Sequence, residues 1–240
     1  KADLIMNTGM IYLEKDKPQT VWVEVKIPKT AEKGTYRGKI ECFTHRVFQA
    51  EAKIHELSFT IQVRDVLLPD VKDFKFHLDL WQHPSNIARK HEVEYWSDRH
   101  FEILEGYIKS LGELGQKAAT VIVSEIPWTG QNCYRVKNYP SDLYEYSMVG
   151  VTKKADGTFS YDYRTMERYI ELCLKHGLDR EIEVFGLINI WPGEDGFATP
   201  SDYPDGVRIR YFDQADNCYK YMEKAQDIKE YIKALEQYFI

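Results

Sequence analysis

Cysteine is scarce in this chain, with four residues in 240, at positions 42, 133, 173 and 218. No two stand at Cys-x-x-Cys spacing, which excludes a zinc site of that kind. So few cysteines in so long a chain build no disulfide framework, so free thiols are expected, pointing weakly to the cytoplasm. Long apolar runs are missing too, and nothing nears the ~18 residues that a membrane span requires. There is no excess of positive charge: 32 Lys and Arg stand against 38 Asp and Glu, a net of −6 spread along the chain. A nucleic-acid partner would call for a basic patch, and none is visible. The histidines never fall at His-Glu-x-x-His spacing, and there is no Gly-x-Ser-x-Gly elbow, P-loop or Gly-x-Gly-x-x-Gly turn. Zincin, α/β-hydrolase, P-loop and dinucleotide chemistry are therefore excluded, and no metal or organic cofactor is expected. The opening residues carry no basic-then-apolar leader and read as the middle of a domain.

Aromatic residues, by contrast, are plentiful at 14%, including 17 Tyr and 5 Trp. Apolar residues at 43% give ample material for a core, so intrinsic disorder is not the expected state. The first third of the chain alternates with period two. Val21, Val23, Val25 and Ile27 are separated by Trp22, Glu24 and Lys26, and Leu57, Phe59, Ile61 and Val63 by polar residues. With Tyr36 to Phe43 between them, these predict half-buried antiparallel strands, part of a β-sandwich over 1–66. A linker over 67–73 carries Leu68-Pro69-Asp70.

From 74 to 240 the pattern becomes strand, loop, helix. Phe74, Phe76, Leu78 and Leu80 alternate with polar residues as a first strand, and 118–124 and 182–190 read as a second and third. Ser97 caps a helix on Phe101, Leu104, Ile108 and Leu111 that stops at Gly115. Further helices are expected over 164–176, before Gly177, and from Asp227 onward. Three βα units in series predict an α/β fold, the first part of a (β/α)₈ barrel with parallel strands. Such an unclosed sheet leaves backbone groups unpaired at its edge, to be met by another chain, by a C-terminal continuation, by swapped elements or by a solvated edge. The segments after the strands, 82–96, 125–163 and 191–226, are long, and sites in such folds lie at the carboxyl ends of strands.

Those ends share a composition. Asp79, Trp81 and His83 close the first strand, Glu125, Trp128 and Gln131 follow the second, and Trp191 follows the third. A tryptophan with polar neighbours at three corresponding places predicts a ring-lined cleft, the form that suits the apolar face of a sugar. Each residue alone could equally pack or cap a turn. Adjacent Glu194-Asp195 reads as solvated.

The run Leu78-Asp79-Leu80-Trp81-Gln82-His83-Pro84, with Tyr95-Trp96-Ser97, Gly115-Gln116-Lys117, Pro127-Trp128-x-Gly130-Gln131, Ser160-Tyr161-Asp162-Tyr163 and Tyr211-Phe212-Asp213-Gln214-Ala215, resembles the catalytic barrel of glycoside hydrolase family 123. That family overlaps the domain-of-unknown-function family 4091. The resemblance implies a β-sandwich followed by a (β/α)₈ barrel that cleaves β-linked N-acetylgalactosamine with retention. In that mechanism the 2-acetamido oxygen attacks the anomeric carbon, an Asp steadies the oxazolinium, and a neighbouring Glu is acid and then base. It implies a sugar-facing shell of Asp79, Trp81, His83, Trp128 and Gln131, with Trp191 and Asp213 more remotely. The chain holds no Asp-Glu dipeptide. The catalytic pair is expected beyond Ile240, with Glu125 as a weak stand-in, and the 240-residue chain alone is expected to be inactive. The alternative is a non-catalytic carbohydrate-binding or scaffold protein.

Overall fold

The structure, a computed structural model, describes residues 9–126, 145–187 and 207–240. The chain forms two compact units, Lys1–Leu68 and Pro69–Ile240.

In the first unit, strands β1 (Gly34–Thr44) and β2 (Ala52–Val63) form an antiparallel hairpin. Gly38 pairs with Phe59, and the phenyl ring lies where a Cβ on Gly38 would stand, 2.2 Å away. Both strands match the alternation in the sequence, although β2 starts five residues before Leu57. The strand expected at Val21–Ile27 is absent: the segment joins no ladder among the described residues, and its four apolar side chains are exposed. Alternation reports which face a residue would bury, but a strand also needs a neighbour to receive its N–H and C=O groups. The described sandwich portion is a two-stranded sheet, and none of its described residues is buried.

The second unit carries the core. Helix α1 (Pro84–Lys90) is followed by α2 (Asp98–Leu114), whose cap is the one the sequence predicts, with Ser97 Oγ accepting the His100 N–H. Phe101, Leu104, Ile108 and Leu111 are buried along one face, each contributing ~1.5–3 kcal/mol. Gly115 ends the helix at φ 96°, a left-handed conformation that glycine adopts without strain. Strand β3 (Ala118–Ile122) is buried throughout. It pairs in parallel with β6 (Glu181–Phe185), in the register Thr120 to Glu183 and Ile122 to Phe185. Between them runs α3 (Arg164–Lys175), with Met166, Tyr169 and Cys173 buried. Helices α2 and α3 lie side by side, linked by Arg168 to Asp98 at 2.7 Å and Lys175 to Glu105 at 2.6 Å.

Two expectations are overturned here. Residues 74–81 are not a strand, because Leu80 spends its N–H and C=O on the side-chain amide of Gln116, at 3.0 and 3.2 Å, instead of on a backbone ladder. The parallel β3–β6 sheet thus has two strands among the described residues, not three. The segments read as long loops also contain regular structure. Strands β4 (Gly150–Lys153), β5 (Phe159–Asp162), β7 (Arg210–Asp213) and β8 (Cys218–Tyr221) form one sheet in the order β5-β4-β7-β8. It is mixed, with β4 and β7 parallel and both outer pairs antiparallel. Helix α4 (Ala225–Phe239) begins two residues before Asp227, and its buried Tyr231 donates from its hydroxyl to Val123 O. The described cysteines, Cys42, Cys173 and Cys218, are free, and Cys133 lies outside the described residues.

Candidate functional site

Beyond β3 the chain keeps the strand direction. Val123 N–H bonds to Phe185 O at 3.0 Å and Glu125 N–H to Arg208 O at 2.8 Å. Ile126 then forms a bridge with Glu145 through two backbone bonds of 2.9 and 2.8 Å. This bridge carries Glu145 to the carboxyl end of the parallel pair. Its carboxylate is 1% exposed. Oε2 accepts the Ser85 N–H at 2.8 Å, and Ser85 Oγ accepts the Tyr146 N–H at 2.8 Å, a reciprocal clamp on the first turn of α1.

His100 braces the same turn from behind. It accepts the Trp96 N–H at Nδ1, so Nε2 carries the proton donated to Pro84 O at 2.9 Å. Both bonds need the neutral ring. Burial pushes its pKa below the ordinary value, opposed by the Pro84 carbonyl and the Glu145 charge and reinforced by His91.

In front of this frame lies a narrow recess lined by Trp81, Gln82, His83, Thr120, Ile122, Glu145 and Phe185. Trp81 stands at its rim, half exposed, with its ring 6.1 Å from that of Phe185 and its Nε1–H donated to Asp79 Oδ2 at 2.9 Å. His83 Nδ1 faces Glu145 Oε1 at 3.6 Å. Asp79, Trp81 and His83 therefore gather at one place. Trp128, Gln131 and Trp191 lie outside the described residues.

The other two candidates sit elsewhere. Glu125 is 3% exposed and tied into the protein. Its Oε2 accepts from Arg208 Nε at 3.2 Å and from the Tyr221 hydroxyl at 2.8 Å, and Oε1 pairs with Arg210 Nε at 2.9 Å. It cross-links the end of β3 to β7 and β8. Asp213 lies three residues beyond Arg210, roughly 10 Å along β7. There it closes the β7–β8 turn, accepting the Ala215 and Asp216 N–H groups. Lys220 at 3.0 Å holds its carboxyl below the usual carboxylate range.

Glu145 is the residue that reading the sequence missed. It lies in a segment without periodicity, and its place in the fold is set by the bridge to Ile126, far from it in sequence.

The model of the glycoside hydrolase 123 catalytic domain matches residues 81–240, two thirds of the chain. The chain belongs to glycoside hydrolase family 123. The match begins at Trp81 and takes in the frame around Glu145 and both sheets of the second unit. A solved structure of a family 123 glycoside hydrolase from Clostridium perfringens, described for glycolipid glycan hydrolysis, shares the fold with a TM-score of 0.61 at 22% identity. The likeness covers 89% of this chain and 33% of that one, so this chain spans about a third of that protein's length. That likeness supports the partial barrel-type architecture of the second unit. No curated protein matches the chain.

Proposed function

We propose that this chain is part of a retaining glycosidase acting on β-linked N-acetylgalactosamine, and that it supplies sugar-binding residues for that reaction. The observation that carries the reading is Trp81, half exposed at the rim of a recess lined by His83 and Glu145, at the carboxyl end of two parallel strands. A tryptophan face and nearby polar atoms match the two sides of a sugar ring, and this end of the sheet is where barrel enzymes keep their sites.

In the proposed reaction the sugar's 2-acetamido oxygen attacks the anomeric carbon while a carboxylic acid protonates the leaving oxygen. A second carboxylate steadies the oxazolinium, and water then opens it with the first carboxylate as base. Asp79, Trp81 and His83, with Trp128, Gln131 and Trp191, orient the ring. Such contacts add affinity to ground and transition states alike, and turnover rests on the carboxylate pair. No Asp-Glu dipeptide occurs between residues 1 and 240. Glu125, enclosed by two guanidinium groups, is not assigned that role.

The test compares the full-length protein with the 240-residue chain on an aryl N-acetyl-β-galactosaminide and on the matching β-galactoside. The expected result is turnover of the acetamido substrate alone, and by the full-length protein alone. Cleavage of the plain galactoside would remove substrate assistance. Sugar binding without turnover by either protein would favour the non-catalytic carbohydrate-binding reading.

A further inference from the structure

We infer that the outward face of the β5-β4-β7-β8 sheet is a second sugar subsite, in which Arg210 grips the carboxylate or sulfate of an acidic sugar unit stacked on Tyr219. The inference rests on the reading of this chain as part of a glycan-cleaving enzyme, and adds to it the charge of a further sugar.

The side-chain period of two decides what this face carries. Tyr211 and Asp213 of β7 and Val151 of β4 are buried on the inner face. There Tyr211 meets Phe159 edge-on at 5.3 Å, and Tyr161 lies 5.4 Å from Tyr231 of α4. Arg210 and Phe212 therefore belong to the opposite face. The register sets Phe212 against Tyr219 on β8 and Thr152 on β4, and Thr152 against Ser160 on β5. Two rings, two hydroxyls and a guanidinium thus share one side of the sheet. The Tyr219 ring is 5.3 Å from that of Phe212, and the residue is 66% exposed. An open ring with polar groups in the same row suits the apolar and hydroxylated sides of a sugar.

Arg210 gives the surface its charge selectivity. Its guanidinium carbon lies 4.9 Å from the centre of the Tyr219 ring and 5.2 Å from that of Tyr146, and its Nε is 2.9 Å from Glu125 Oε1. Glu125 also serves Arg208 and the Tyr221 hydroxyl, so Arg210 does not have this carboxylate to itself. Its terminal Nη groups donate no hydrogen bond to a described residue, and the side chain is 41% exposed. Two N–H groups in one plane match two oxygens of a carboxylate or a sulfate. An arginine already held by three neighbours loses little further freedom on binding, so the contact keeps most of its strength. The sequence carries a net charge of −6, so the overall field does not draw in an acid and the attraction is local to Arg210. Tyr146 directly follows Glu145, which lines the recess, so both sugar positions border one short stretch of chain.

The experiment titrates the full-length protein by ligand-observed NMR. The probes are methyl β-glucuronide, methyl 6-sulfo-β-galactoside and neutral methyl β-galactoside, with acetate and sulfate as free anions. One or both acidic sugars should bind about 10-fold or more tightly than the neutral sugar and the free anions, and whichever binds identifies the group recognised. Arg210→Lys keeps the charge but loses the fork, and should weaken the acidic sugar about 10- to 100-fold. Tyr219→Ala removes an exposed ring and should weaken it about 3- to 10-fold. Because Arg210 also contacts Glu125, Tyr219→Ala keeps the test decisive if Arg210→Lys does not fold. Equal affinity for acidic and neutral sugars, or for acidic sugars and free anions, would overturn the subsite. Unchanged binding in either folded variant would overturn it too. Methyl N-acetyl-β-galactosaminide is titrated alongside. If it binds and no acidic sugar does, the subsite falls and the glycosidase reading stands; if only an acidic sugar binds, that reading falls and the subsite stands.

Discussion

Replacing Glu125 by glutamine separates a structural carboxylate from a catalytic one. The side chain is 2% exposed and meets Arg208, Arg210 and Tyr221, the arginines being 18% and 41% exposed. Glutamine keeps an acceptor for Tyr221 or Arg208 but presents an N–H to one of the guanidinium groups and removes the charge that balances both. Breaking a fully buried pair costs ~3–5 kcal/mol. Solvent reaches Arg210, and both arginines stay stacked on tyrosines, Arg208 at 4.0 Å from the Tyr221 ring and Arg210 at 4.9 Å from that of Tyr219. The expected loss is therefore smaller, about 2–3 kcal/mol. For a domain of this size it appears as a fall of about 4–12 °C in melting temperature, read by circular dichroism. Turnover of the full-length protein at 20 °C should stay within a factor of a few of wild type. A melting temperature unchanged within ~1 °C would refute the cross-link. An unchanged melting temperature with a loss of ~10² or more in kcat would make Glu125 a catalytic acid or base.

Two glycines of α2 should respond in opposite directions. Gly106→Ala meets open space and should add roughly 0.5–1 kcal/mol; a urea midpoint that falls would refute this. Gly112→Ala sets a Cβ 2.1 Å from the backbone oxygen of His176, so α2 and α3 must separate, and a net loss of about 1–3 kcal/mol should lower the same midpoint. Ser97→Ala removes the acceptor for the His100 N–H, at 3.2 Å, and should cost about 1 kcal/mol by denaturant titration. The pH dependence follows from His100, whose folded pKa lies below its ordinary 6.5. Below pH 6.5 the unfolded chain takes up the proton first, so stability falls with decreasing pH until the folded ring also titrates. Melting curves at steps between pH 7.5 and 5 should show this slope, and His100→Gln should flatten it; an unchanged slope would exclude His100 as its source.

How far the sequence alone reaches depends on whether a feature is local. Helix α2 is legible from cap to stop because Ser97, the apolar spacing and Gly115 act within one element. The same holds for α3 and its following Gly177, and for the buried run of β3. The hairpin β4–β5 also has a local signal, Asp156-Gly157, with Gly157 at φ 87°, although its short strands lack the periodicity that would set them apart from loop. The motifs around Trp81 carry the family, and Asp79, Trp81 and His83 lie near one another because they are close in sequence. What needs the tertiary structure is every feature that depends on a distant partner. Residues 74–81 and Val21–Ile27 alternate like strands, but pairing is decided by what lies beside them, and for Leu80 that is the Gln116 amide. Glu125 and Glu145 look alike in sequence. Burial distinguishes neither, since both are enclosed; the neighbours do, because the guanidinium groups of Arg208 and Arg210 pair with one while the Ser85 N–H and the His83 ring face the other. A carboxylate's chemistry is set by the groups that surround it, and those groups come from segments 60 and more residues away.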